Sequence, residues 1–429
     1  MDTFGWDTVF VADVDCINQS LAAAMSLLVA KFDFSEQDYE VQGTFGPWSI
    51  VPGGAGKLLW MRLPIASGTV TSPGSPPVDV SGLAVTLQIS LEMLPSPGGS
   101  GGQTLHFNFK SVGGPATGDG VVTPVGVDDP GGRLGSIQQM ALSMAVAQCM
   151  VRNAGSISYV FATINPLAAE ATPWLKPAQC DYCYGALTGT TAPVLAILSA
   201  NDGRDSSGLP RKVDPSIIAA GSRLALAISP SLVLLHIIAP RFAAGFGVQD
   251  CTFHLSDPTT LSTDGFPLSR VQAPCGPPWV TSFSAAVEDT RIAVSLSGTC
   301  RLENDSALAS AALRLDFATQ FILGATFDTS SLSFTFPQIG TPTFSHHLDI
   351  PWYDWLSPQF GGILQSIFDI VQAIPALFES TPLAASIQAN VAPPLGVAAT
   401  GIVSWSGSRG FHATGGGLAG ALYLRGNPS

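Results

Sequence analysis

From Leu83 to Met93 the chain alternates: Leu83, Val85, Leu87, Ile89, Leu91 and Met93 are apolar, with Ala84, Thr86, Gln88, Ser90 and Glu92 between them. Period two over this length predicts a strand with one buried and one wet face. The Pro/Gly/Ser run Pro95 to Gly102 separates it from Leu105-His106-Phe107-Asn108-Phe109-Lys110, which alternates again. The two runs read as a long hairpin. Other segments carry helical spacing. Val14, Ile17, Leu21, Met25 and Leu28 form one stripe, with Asp13 and Asp15 where a helix N-terminus favours negative charge. A second helix is expected over residues 128 to 151, with Asp128-Asp129 at its start and Leu134, Ile137, Ala141, Met144 and Gln148 on one face. Asn153-Ala154-Gly155 stops it, and a strand follows at Ser158 to Ile164.

The second half repeats this grammar. A helix is expected within Ser216 to Ala244, where the uncharged apolar stretch Leu224 to Pro240 reads as a buried core helix. That stretch is broken at Ser229-Pro230-Ser231 and is too short for a membrane span. Alternation resumes at Ile292, Val294 and Leu296, at Leu313, Leu315 and Phe317, at Phe321, Leu323, Ala325 and Phe327, and at Leu332, Phe334 and Phe336. A further helix fits Leu364, Phe368, Val371 and Ile374, until Pro375 disturbs it. The polar, Gly-rich run Asn201 to Gly208 marks a division, giving expected domains of residues 1–205 and 206–429. Lengths sharpen the picture. An 11-residue strand reaches about 36 Å at ~3.3 Å per residue, and a helix of about 20 residues, as expected at the N-terminus, reaches about 30 Å. Elements so matched suit an elongated α+β body in which a long antiparallel sheet curls along a helix, one such unit per half.

Composition narrows the function. The chain has 429 residues, 46% hydrophobic and only 11% charged, with 45 Gly and 33 Pro, which argues against a helical bundle or coiled coil. The net charge is −13, and the lysines are five scattered residues: Lys31, Lys57, Lys110, Lys176 and Lys212. With no basic stripe, a nucleic-acid surface is excluded. The seven cysteines show no disulfide-scaffold spacing. Met1-Asp2-Thr3-Phe4 lacks the positive n-region of a signal peptide, so synthesis in a reducing cytosol is expected.

The chemistry-bearing motifs are weak. Cys180-Asp181-Tyr182-Cys183 has redox or half-zinc spacing but no second pair, and Pro173, Pro177 and Gly185 suggest a loop. His346-His347, with Asp349 and Asp354 near, is the best metal-like cluster, yet adjacent histidines on a strand face opposite ways. Trp352, Tyr353 and Trp355 around them favour an aromatic-rich connection. Gly98-Gly99-Ser100-Gly101-Gly102 matches G-x-S-x-G in a hairpin loop, the wrong context for a nucleophile. Gly53-Gly54-Ala55-Gly56-Lys57 lacks the flanking Gly and Ser/Thr of a phosphate loop. No catalytic residue, metal or cofactor is therefore assigned.

Phe4-Gly5-Trp6-Asp7-Thr8-Val9-Phe10, followed directly by a helix, resembles the opening of the forty-seven-kilodalton/OrfX accessory proteins of clostridial neurotoxin and insecticidal toxin gene clusters. Tyr159 to Asn165 and Ala227-Ile228-Ser229 resemble further segments of that family. The resemblance implies membership of the tubular lipid-binding (TULIP) superfamily, in which a curved sheet wraps a long helix and a lipid can lie in the seam. It further implies a non-enzymatic protein that assembles with a toxin or sibling accessory proteins, with release alongside a toxin complex. Met140, Met144, Leu364 and Phe368 are the candidate lipid-seam residues, since Met supplies adaptable walls. The alternatives are an assembly factor with no lipid and, more remotely, a metal-dependent enzyme using His346 and His347. Low positive charge gives the chain little to offer a polyphosphorylated headgroup.

Overall fold

The structure is a computed structural model. It describes residues 1–36, 39–96, 101–114, 118–170, 172–185, 193–201, 203–249, 252–273, 276–301, 314–349, 360–379, 395, 401–408 and 410–429. Contacts group the chain into two compact units. The N-proximal unit is Thr3–Leu226 with Val397–Thr414 and Arg425–Ser429; the C-proximal unit is Met1–Asp2, Ala227–Gly396 and Gly415–Leu424. The fold is α+β, dominated by antiparallel strands.

In the N-proximal unit the alternating segment becomes the 12-residue strand Ala84–Pro95. It pairs with Gln103–Asn108 in the expected hairpin, Leu91 opposite Phe107 and Met93 opposite Leu105. These belong to an 11-stranded sheet that also contains Lys31–Glu36, Tyr39–Phe45 and the 14-residue Leu58–Thr71. One close backbone approach in the sheet depends on glycine. Gly43 sits directly opposite Gly68. A Cβ on Gly43 would lie 2.5 Å from the Ser67 carbonyl oxygen, and one on Gly68 2.6 Å from that of Gln42. Two side chains are missing where the backbones leave no room for them, and the Phe32 ring covers Gly43.

Helix α1 (Val14–Ala23) is capped by Asp13, whose carboxylate accepts from Cys16 N. Its turn at Ala24 ends it, and a short 3-10 turn, Met25–Leu27, completes the stripe read from the sequence. The expected 20-residue N-terminal helix is thus half as long, about 15 Å. The helix lying on the long sheet is instead α2 (Ser136–Arg152), packed on Val121–Asp128, Lys31–Glu36 and Ala84–Pro95. The helix expected over residues 128 to 151 starts later, at Ser136: Asp128 ends the strand Val121–Asp128, and Asp129 acts ahead of the helix by accepting from Leu134 N.

The stretch Leu224 to Pro240 is not one helix. Leu224–Ile228 is a strand buried at every position, next to Thr8–Asp13 in a six-stranded sheet. A continuous apolar run suits a strand covered on both faces as well as a core helix, so periodicity could not separate them. Ser229 then caps α3 (Pro230–Val233), accepting from Leu232 N, with Pro230 in the first turn. Pro240 cannot donate to the carbonyl four residues back. The helix widens to a π turn at Leu234–Ile238 before α4 (Ala239–Phe246).

In the C-proximal unit, α4 lies on a seven-stranded sheet built on Trp279–Glu288, Arg291–Arg301, Arg314–Gly324 and Gln338–Asp349. Phe242 and Phe246 stack at 5.8 Å, and Phe242 meets Phe283 edge-on at 5.1 Å. Phe253, Phe266 and Phe321 close the cluster. Each fully buried ring removes about 1.5–3 kcal/mol of apolar exposure from water. The last helix, α5 (Phe360–Glu379), continues through Pro375 rather than ending there.

Candidate functional site

The two helices credited with seam residues present different faces from those the spacing suggested. On α2 the buried positions are Leu142, Ser143, Ala145, Val146, Ala147, Cys149 and Met150. Met140 is 66% and Ile137 64% exposed, while Ala141, Met144, Gln148 and Val151 are half-buried. The stripe Ile137, Ala141, Met144, Gln148 therefore points outward. Alpha2 is apolar on nearly every side, so the period identified a helix without identifying its inner face. Small inward residues let the helix approach the sheet closely, and Cys149 Sγ reaches the Lys31 carbonyl at 3.6 Å. On α5 the buried positions are Ile367, Ile370 and Ile374, and Phe368 is 58% exposed. Its inner face is thus rotated from the expected Leu364–Phe368–Val371–Ile374 stripe. The Leu364 side chain lies outside the described residues.

The outward side of α2 exposes two large apolar side chains, Ile137 and Met140, with Met144 half-buried beside them. Ile137, Met140 and Met144 follow one another at i, i+3 and i+7. The interior behind it is closed by rings: Phe45, Trp48, Phe107, Phe109, Tyr159 and Phe161 form a continuous network with centroid spacings of 4.7–6.2 Å. The C-proximal unit has its own such network around Phe242 and Phe283.

Cys180 and Cys183 lie in the strand Pro177–Gly185, not in a loop, opposite Ser199 and Ala196. Three residues apart on a strand, they face opposite sides. Both thiols are free. Burial, reinforced by the Asp181 carboxylate, pushes each up to about 12, so neither is a thiolate nucleophile near neutral pH. Asp181 itself is held by Lys57 Nζ at 3.0 Å and Arg211 Nε at 2.5 Å.

His346 and His347 sit on the strand Gln338–Asp349, opposite Phe317 and Asp316, and both are exposed. His346 stacks on Phe344 at 5.8 Å. Among the described residues no group of three or more His, Cys, Asp or Glu could hold a metal ion. Asp354, Trp352, Tyr353 and Trp355 lie outside the described residues, as does the Gly98-Gly99-Ser100 segment. The glycines before Lys57 have a packing role: a Cβ on Gly53 would lie 2.1 Å from the Trp60 ring, and one on Gly54 2.4 Å from the Leu58 carbonyl.

The opening heptapeptide anchors the first strand. Trp6 is buried and its indole N–H donates to the Pro210 carbonyl at 2.9 Å. The Asp7 carboxylate accepts from Asn201 N at 2.8 Å and pairs with Arg204 at 3.1 Å; Arg204 also donates to the Gly5 carbonyl. The polar run read as a boundary thus clamps the N-terminal motif. Sequence spacing of about 200 residues hid that partnership. A second set, Tyr159 donating to Ser20 and Ser20 to Ser406, ties α1 to Val160–Ile164 and the turn after Val403–Trp405.

Long antiparallel sheets, a few packed helices and buried aromatic networks define an α+β, sheet-rich architecture. The chain belongs to the OrfX-like family: its sequence pattern, described as Protein OrfX2/OrfX3/P47, matches residues 3–325. Protein P47 of Clostridium botulinum (strain Kyoto / Type A2) is 26% identical over 361 residues, covering 81% of this chain and 83% of that protein. Protein OrfX3 of the same strain is 22% identical over 270 residues, 57% of this chain and 55% of the relative. The solved structure of P47 from Clostridium botulinum A2 superposes with a TM-score of 0.71 at 22% identity, over 100% of this chain and 98% of that one. That of P47 of Clostridium botulinum E1 gives 0.73 at 20% identity, over 99% and 100%. These structures share the fold.

Proposed function

We propose that this protein is a non-enzymatic accessory component of a toxin gene cluster, with TULIP-like architecture, that binds partner proteins. The outward apolar stripe Ile137–Met140–Met144 carries the reading. Surface helices ordinarily present charge, and an uncharged methionine-bearing face suits a surface that docks. Family membership with P47 and OrfX3 supports sibling accessory proteins or a toxin as the partners. The half-buried Cys180 and buried Cys183, both protonated near neutral pH, and the oppositely facing His346 and His347 count against the enzyme reading. The test is co-purification with the products of neighbouring genes. Wild type is expected to retain a sibling and Met140→Asp to lose it; a lone monomer with every neighbour would refute the reading.

A second reading keeps a lipid or other hydrophobic ligand at Met140 and Met144 beside the stripe. It is favoured by the same exposed methionines, and native mass spectrometry of purified protein should then find a stoichiometric acyl species. The buried aromatic networks of the two units support the reading without an internal lipid. At −13 net charge, adhesion to anionic vesicles should be weak and should not strengthen at low salt, where repulsion is least screened.

A further inference from the structure

The face of the C-proximal sheet opposite the aromatic cluster carries a cavity of about 420 Å³. Strand register shows how it is built. Ala286 pairs with Ala293, Ala293 with Ile322, and Ile322 with Ile339, giving one apolar row across four strands. Beside it runs a polar row, Ser284, Ser295, Gln320 and Thr343, with the pairing to the last strand shifting at a bulge between Gln320 and Ile322. All eight residues line the cavity. Along the strands both rows alternate with buried positions such as Phe283, Val294 and Phe321, so they belong to the open face. Three spacings of about 4.8 Å make each row about 14 Å long.

The electrostatics restrict the occupant. The charged rim is Glu288 and Arg291, which are paired with each other at 3.0 and 3.2 Å. An anion would have to break that pair to gain a cation, and a cationic ligand would have to break it for a carboxylate. The side chains of Ser284, Ser295 and Gln320 make no hydrogen bond among the described residues. They are neutral donors and acceptors. The apolar row is narrow at the alanine end and raised at Ile339, which is 54% exposed. An acyl chain would leave the polar row unpaired, at a cost per group comparable to a lost hydrogen bond.

We propose that this groove is a binding site for a neutral, polyhydroxylated ligand, a saccharide of one or two units. One face of such a ring is C–H and would lie on Ala286, Ala293, Ile322 and Ile339. Its hydroxyl edge would meet Ser284, Ser295, Gln320 and Thr343. The cavity falls within the few-hundred-Å³ range of small-molecule sites. The site is separate from the α2 surface, so it stands or falls independently of the partner-binding reading.

The test is saturation-transfer difference NMR on the full chain with maltose, cellobiose and diacetylchitobiose at millimolar concentration, with inorganic phosphate and decanoate as comparison ligands. Transfer to at least one saccharide is expected. Ala293→Arg, which places a long side chain on the groove floor, should weaken it by at least about tenfold. Ile339→Ala should weaken it less without threatening the fold, because Ile339 is half exposed. Thr281→Arg, on an exposed position outside this groove, should leave it unchanged, and far-UV circular dichroism should match wild type throughout. Absence of transfer to every saccharide, transfer insensitive to both groove variants, or a response only to phosphate or decanoate would overturn the proposal.

Discussion

Turning α2 inside out relative to its sequence stripe makes a sharp prediction about two neighbouring side chains. Leu142 is fully buried against the long sheet, and Met140 is 66% exposed. Leu142→Ala removes three carbons from a packed interface. Measured Leu→Ala changes at such sites cost about 2–5 kcal/mol, the spread reflecting how far the cavity collapses. The small inward neighbours Ala145, Val146 and Ala147 leave little freedom to fill the space, which points to the upper half of that range. Met140→Ser removes a side chain already in water and should stay within about 0.5 kcal/mol. Urea denaturation followed by tryptophan fluorescence compares them, since Trp48 is buried in the same unit. The midpoint should fall for Leu142→Ala with an unchanged slope, and stay in place for Met140→Ser. If Met140→Ser lost more than Leu142→Ala, the assignment of the helix faces would be refuted.

Other outcomes follow from single observations. Asn108 is fully buried, and among the described residues neither its side-chain carbonyl oxygen nor its amide nitrogen has a hydrogen-bond partner. Asn108→Leu should therefore stabilise by about 1–3 kcal/mol in thermal or urea unfolding, and a loss of stability would expose a missing partner. Burial pulls His106 below the ordinary histidine range, partly opposed by Glu92. A depressed folded value makes the unfolded chain bind the proton first, so stability should decline as pH falls from about 6.5. His106→Gln should flatten that decline, and an unchanged pH profile would contradict it. Cys180 and Cys183 should resist maleimide in the native protein and react after denaturation; rapid native labelling of Cys183 would contradict its burial. Gly43→Val should cost several kcal/mol or prevent folding, because its first carbon already meets the Ser67 carbonyl at 2.5 Å; wild-type stability by urea denaturation would disprove the close-approach argument.

How much was legible beforehand divides along a physical line. Alternation from Leu83 to Met93 specified a strand, its wet face and its hairpin with residues 105–110, because a period of two leaves one register that hides the apolar set. The Phe4–Phe10 segment pointed to the family. These properties are local or additive, and a single chain carries them outright. The inward face of α2 was not available, since a helix apolar all round presents equal claims on every side until a sheet with a given spacing meets it. Nor was the strand Leu224–Ile228, whose run of five apolar residues fits any fully covered element. The Asp7–Arg204 clamp, the return of residues 397–414 to the N-proximal unit and the paired rows of the groove join positions far apart in sequence. Such pairings cost chain entropy to close and leave no trace in local pattern. They were decided only when the strands chose their neighbours.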